Sequence, residues 1–171
     1  MRRLTVLSVL IVLMLSSLPA RAGKIGFVDA ERAIGEVEEG KKKFADLQKW
    51  QAPHQAKLDG LRDQVLALRN QLAQETSPEA RAEIERNEIS ATRAFEDARR
   101  DYERALENKK QEFLSDIASK IALVGQEYAK KNEYDAVFLT SGQPMMYVAE
   151  SVNLTDIVVE LYNERFPISI N

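Results

Sequence analysis

Leu58, Leu61, Val65, Leu68 and Leu72 follow one another at alternating intervals of three and four residues. That spacing aligns the side chains as one narrow apolar stripe on an α-helix, and such a stripe needs a second helix to cover it. The pattern reaches back through Phe44, Leu47, Gln51 and His54, which predicts an outgoing helix from Lys41 to Gln74. Gln51 and His54 interrupt the apolar run, with Pro53 between them. A proline inside a helix removes one hydrogen bond and crowds the preceding turn, so Pro53 is a candidate hinge. Ser77, Pro78 and Glu79 then supply a cap, a first-turn proline and a first-turn acid, the marks of a new helix start. The return helix is expected to run to Lys131 on a seam that includes Ile84, Ala91, Phe95, Tyr102, Lys109, Phe113 and Tyr128. A tip near residues 75–78 forces the two helices to be antiparallel neighbours. At about 1.5 Å per residue, the outgoing helix is roughly 50 Å long.

On both sides of this arm the period changes to two. Lys24 to Val28 and Asp135 to Thr140 read as strands, and a turn over Ser141–Pro144 leads to a third strand, Met145 to Ala149. Asp29 caps a short helix expected to reach Glu39, with Gly40 as the break before the arm. Asn153 and Asp156 resemble a capping box that opens an amphipathic helix through Phe166, and the tail from Pro167 is loose. The fold class is therefore α+β, with a long helical hairpin (41–131) inserted in a small β-rich body made of 23–40 and 132–166.

Three short strands and two small helices form a meagre core for so long a lever, and they leave strand edges to be covered. An oligomer built on the sheet region follows. Ile25, Phe27, Val137, Leu139, Met146 and Val148 are the candidates for a shared core, each of which equally fits a role in the protomer's own core.

Residues 1–22 read as a cleavable export signal. Arg2 and Arg3 precede an apolar stretch from Leu4 to Leu18, and Ala20-Arg21-Ala22 places small residues for cleavage after Ala22. The stretch falls short of the roughly 20 apolar residues that cross a bilayer. Removing Arg2, Arg3 and Arg21 takes three of 24 basic residues away against 27 acidic ones, a net charge near −6. No broad basic surface follows from that balance, so a nucleic-acid partner is not expected. The chain has no cysteine, which excludes disulfides, thiolate metal sites and a thioether-linked lipid.

Catalytic chemistry finds little to stand on. His54 is the single histidine, it lies on a helical seam, and no thiol exists to pair with it. Carboxylates alternate with Lys and Arg along helix faces, with Glu38–Lys42 and Glu39–Lys43 at i,i+4 spacing. The loop at Gly142 lacks a phosphate-binding pattern, and Asn153-Leu154-Thr155 is better explained as a cap than as a glycosylation acceptor. Neither an enzyme, a cofactor nor a metal is expected.

The signal, Lys24-Ile-Gly-Phe-Val-Asp29, the step Glu38-Glu39-Gly40-Lys41-Lys42, the strand Tyr134-Asp-Ala-Val-Phe138 and the helix start Val152-Asn-Leu-Thr-Asp156 together resemble the Skp/OmpH periplasmic chaperones. The resemblance covers the mature chain in order. It implies a homotrimer in which three small sheets share a β-barrel and three helical arms surround a cavity. Unfolded outer-membrane proteins would be held there in the periplasm, without ATP. Client contacts must then come from positions off the seam, where Trp50, Leu66 and Ile89 are the large side chains. Well-known members of that family are strongly basic, whereas this mature chain is acidic, so membrane-surface or lipopolysaccharide contact does not carry over with the shape. The rival reading is a structural coiled-coil scaffold of the cell envelope; an outer-membrane barrel fails for want of ten-residue alternating strands.

Overall fold

The computed structural model describes residues 23–141 and 147–168. In chain order these form β1 (Ile25–Asp29), α1 (Ala30–Glu36), α2 (Glu38–Gln74), α3 (Pro78–Lys131), β2 (Ala136–Thr140), a 3-10 turn (Glu150–Val152) and α4 (Thr155–Arg165). Among the described residues the protein is mostly helical with a small two-stranded sheet.

The arm follows the heptads closely. Leu47 and Val65 on α2 and Ala91 and Phe113 on α3 are buried, and the other seam positions between them are largely half-buried. At the tip, the Ser77 hydroxyl accepts from the Ala80 N–H, and the Arg81 guanidinium covers the carbonyls of Leu72 and Glu75, which lack helical partners. Two details depart from the seam. Lys109 is exposed; its ammonium lies 5.3 Å from the Trp50 ring centroid, so its stem runs along the hairpin while its charge stays in water. Phe44 is only partly covered, packed edge-on against Phe113 at 5.1 Å.

The break before the arm falls at Val37, and Gly40 lies within α2. The short helix therefore ends at Glu36 and does not reach Glu39. Glycine is required at 40 for a different reason: a Cβ there would lie 1.8 Å from the Ile34 carbonyl oxygen. The tight reversal between α1 and α2 presses one backbone onto the other. Asp29 caps α1 as expected, accepting from the Arg32 N–H at 3.0 Å.

β1 and β2 pair in parallel, with Ile25 opposite Ala136 and Phe27 opposite Phe138. Antiparallel strands can be joined by a tight turn, but parallel ones need a long crossover, and here the whole arm is that crossover. The third strand is not present in its described part: Tyr147–Ala149 carries no strand, and Met145 with Met146 lies outside the described residues. In its place Asn153 makes an isolated parallel bridge to Phe27, and the Leu154 N–H donates to the Phe27 carbonyl at 2.7 Å. Neither does the Asn153 capping box form as expected. Leu154 occupies the cap position of α4, while the Asn153 side chain accepts from the N–H and hydroxyl of Thr155.

The core lies where the lower third of α3 passes beneath the sheet. Ile117, Ile121, Val158 and Tyr162 are fully buried, joined by Val28, Ile34, Val37 and Leu154. Burying each such side chain stabilises the fold by about 1.5–3 kcal/mol. α3 thus serves twice, as one leg of the arm and as the spine of the body.

Candidate functional site

Alternate residues of a strand share a face, and so do register partners in adjacent strands. Gly26 and Val28 face the core and are buried. Ile25, Phe27, Ala136 and Phe138 therefore share the outer face, where the Phe27 and Phe138 rings stack at 5.4 Å. The described residues leave the apolar side chains of this face largely open: Phe138 is 51 % exposed and Ile25 43 %. Val137 packs against the core, and Val148 is half-buried. Leu139 remains 43 % exposed beside a groove that it lines with Ile34, Phe44, Leu114 and Ala118. Met146 lies outside the described residues. Phe138 escaped the sequence reading, although its strand was assigned. Counting by two from Phe138 and from Phe27 could have found the face, but only with the parallel register in hand.

Along the arm, Leu66 and Ile89 are 48 % and 43 % exposed, while Trp50 is half-buried. The Trp50 ring stacks on Tyr102 at 5.8 Å and lies 4.1 Å from the His54 ring. His54 donates through Nδ1 to the Trp50 carbonyl at 2.7 Å, and Gln51 Nε2 reaches the Tyr102 hydroxyl. The polar interruption in the heptads is thus an aromatic stack with its own hydrogen bonds. Pro53 sits beside it inside an unbroken α2, where it leaves the Lys49 carbonyl without an intrahelical donor.

A second cluster lies at the arm's foot. Glu39 pairs across the body with Lys120 and not with Lys43: Lys120 Nζ lies 2.9 and 3.1 Å from its two oxygens. Lys120 also donates to Asp116, and the Tyr162 hydroxyl donates to Glu39 at 2.7 Å. The hydrogen bond to Asp116, reinforced by Glu39, raises the Lys120 pKa. Burial, and then the Glu39 carboxylate, pushes the Tyr162 hydroxyl far above the ordinary tyrosine value. Glu38 pairs with Lys41. Near the tip, Arg69 and then Thr92 hold the Glu88 carboxyl below its usual range, and the backbone N–H groups of Ser77 and Thr76 do the same for Glu75.

Among the described residues no three His, Asp or Glu side chains form a group that could hold a metal ion, and no helix is long and apolar enough to cross a membrane. The site is made of surfaces: an apolar sheet face, an adjoining groove, and off-seam apolar side chains on a long arm.

The sequence profile of a family described as "Outer membrane protein (OmpH-like)" matches residues 24–162. The chain belongs to the OmpH-like family. Its fold is similar to a crystal structure from Caulobacter crescentus, described as a candidate outer membrane chaperone of OmpH-like type. The TM-score is 0.68 at 18 % identity, covering 90 % of each chain. No curated protein matches this chain. The OmpH-like match spans both halves of the body and the arm between them, so the architecture as a whole is that of the family.

Proposed function

We propose that the mature chain is a periplasmic holdase, exported through a signal cleaved after Ala22. Three protomers would join through their sheets into a shared barrel, and their arms would enclose unfolded outer-membrane β-barrel proteins without ATP. The observation that carries this reading is the outer face of the sheet. Ile25, Phe27 and Phe138 form a contiguous apolar surface on a small body. Such a surface marks an interaction site, and a closed ring of sheets would bury it and remove the strand edges together.

The arm supports the second half of the proposal. Its seam side chains are consumed by α2–α3 packing, so only scattered apolar positions such as Leu66 and Ile89 remain for a client. Many weak, spaced contacts retain a disordered chain without ordering it, which is what a carrier with no energy source requires. Trp50, half-buried against Tyr102, His54 and Lys109, would contribute only through the part of its ring that stays exposed.

The test is aggregation of several unrelated β-barrel proteins diluted from urea, followed by light scattering with and without the mature chain. A holdase suppresses scattering of all of them at about one trimer per client, and native mass spectrometry shows the complex. A scaffold protein of the envelope leaves scattering unchanged, and a monomeric mature chain removes the cage.

A further inference from the structure

The N-terminus of α2 carries no cap of its own. Val37, the single residue between α1 and α2, is buried and offers no side-chain acceptor. The first N–H of the helix, that of Glu38, is instead met by Asn163 Oδ1 of α4 at 2.9 Å. The neighbouring Tyr162 hydroxyl holds Glu39, the second residue of α2. One turn of α4 reaches the other leg of the arm as well. Arg165 pairs with Glu127 of α3, and the Phe166 ring lies 5.5 Å below the Lys120 ammonium, itself bound to Glu39. Four residues within the span 162–166 thus tie both legs of the arm to the body.

The two legs are anchored differently. α3 continues unbroken into the core through Ile117 and Ile121, whereas α2 ends at the body and is joined onward only through Val37. With both feet fixed, the hairpin is a two-legged strut, and bending it requires one leg to slide along the other. With the Asn163 and Tyr162 contacts released, the foot of α2 keeps only the Glu39–Lys120 pair and the packing of Val37 and Gly40 against Ile34 to resist that sliding.

We propose that the last turn of α4 is a latch that pins the foot of α2 to α3, with Asn163 and Tyr162 as its positioning residues, and thereby governs how far the arm swings. α2 contains 37 residues, so at about 1.5 Å per residue its tip lies about 55 Å from the latch. A rotation of about 5° at the foot moves the tip by about 5 Å on a lever of that length. Release of a few contacts at the base is therefore magnified where the arms would meet a client. The latch concerns arm position alone, and its test needs no client, so it stands apart from the holdase reading.

The absence of native cysteine allows a spin-label pair at the tip and on the body, Thr76→Cys with Ser151→Cys, in mature protein diluted into an excess of unlabelled chain. In an Asn163→Ala, Tyr162→Phe background the tip-to-body distance distribution should broaden by several ångströms while helical content is kept. Asn163→Asp with Tyr162 intact retains an acceptor for the Glu38 N–H and should keep the parent width. A folded double variant with the parent distribution overturns the latch. Should the double variant lose its helical signal, Tyr162→Phe alone is read by the same criterion, since it removes one hydroxyl and leaves the ring in the core.

Discussion

Two glycines of α2 should respond to the same substitution with opposite signs. Gly60 lies on the outer face of the arm, and a Cβ there would meet nothing within 4 Å. Replacing it with alanine removes the entropic penalty of glycine in a helix interior and should stabilise the protein by about 1 kcal/mol. Gly40 would gain the same propensity, but its new Cβ would sit 1.8 Å from the Ile34 carbonyl oxygen, well inside the 3.0 Å that real Cβ atoms keep. The obstacle is backbone, and it is held by buried neighbours, Ile34 and Val37. The α1–α2 reversal must open by more than an ångström, an overpacking that costs about 1–3 kcal/mol or more. The net expectation is a loss of about 2 kcal/mol, and a difference of about 3 kcal/mol between the two variants. Urea unfolding followed by helical circular dichroism reads this directly. With a slope of about 2 kcal/mol per molar, the midpoints should differ by about 1.5 M, provided protomer concentrations are matched. A Gly40→Ala midpoint at or above the parent's would refute the close approach as the reason for glycine there. An unchanged Gly60→Ala midpoint would show that the outer face of the arm is not free.

Phe138→Asp puts a charge on the outer sheet face without touching the core, and should leave a folded protomer that sediments as a monomer; retention of the parent mass would remove this face from the assembly. Toward acid, Glu75 and Glu88 contribute stability that is full above their ordinary value of 4.5 and is lost as the pH falls through their depressed native values. Glu88→Gln should accordingly flatten the acid limb of a stability-versus-pH curve. Toward alkali the sign reverses: Tyr162, with its native value raised above 10.0, contributes fully below pH 10.0 and loses that contribution as the pH climbs beyond it. The phenolate absorbance of Tyr162 should thus appear only with unfolding, and Tyr162→Phe should lose that delayed component.

The arm was legible because its physics is local. The heptads from Leu58 to Leu72 fix which face of α2 is covered, and Ser77-Pro78 fixes where α3 begins, with no information needed from elsewhere in the chain. Asp29 was legible for the same reason. The body was not, because its features depend on partners far away in sequence. Gly40 read as a helix breaker until Ile34 was seen against it. Glu39 suited Lys43 at helical spacing, yet Lys120 and Tyr162 surround it in space. The cap on Glu38 comes from Asn163, and no local rule connects those two residues. The prominence of Phe138 depends on parallel pairing with β1, which the strand pattern alone does not specify.

That parallel pairing also bears on how such a protein is made and modified. Lys24 and Asp135, bonded at the start of the sheet, lie 111 positions apart in the chain. The hairpin can form by itself from contacts between neighbours in sequence, starting at the tip, and each turn that zips shut brings the two strands nearer. Closing the sheet over a hairpin already zipped would meet far less loop entropy than closing it over an open chain. The same layout makes arm length a free variable: matched segments can be deleted from α2 and α3, one heptad from each, and the strands below still meet in register.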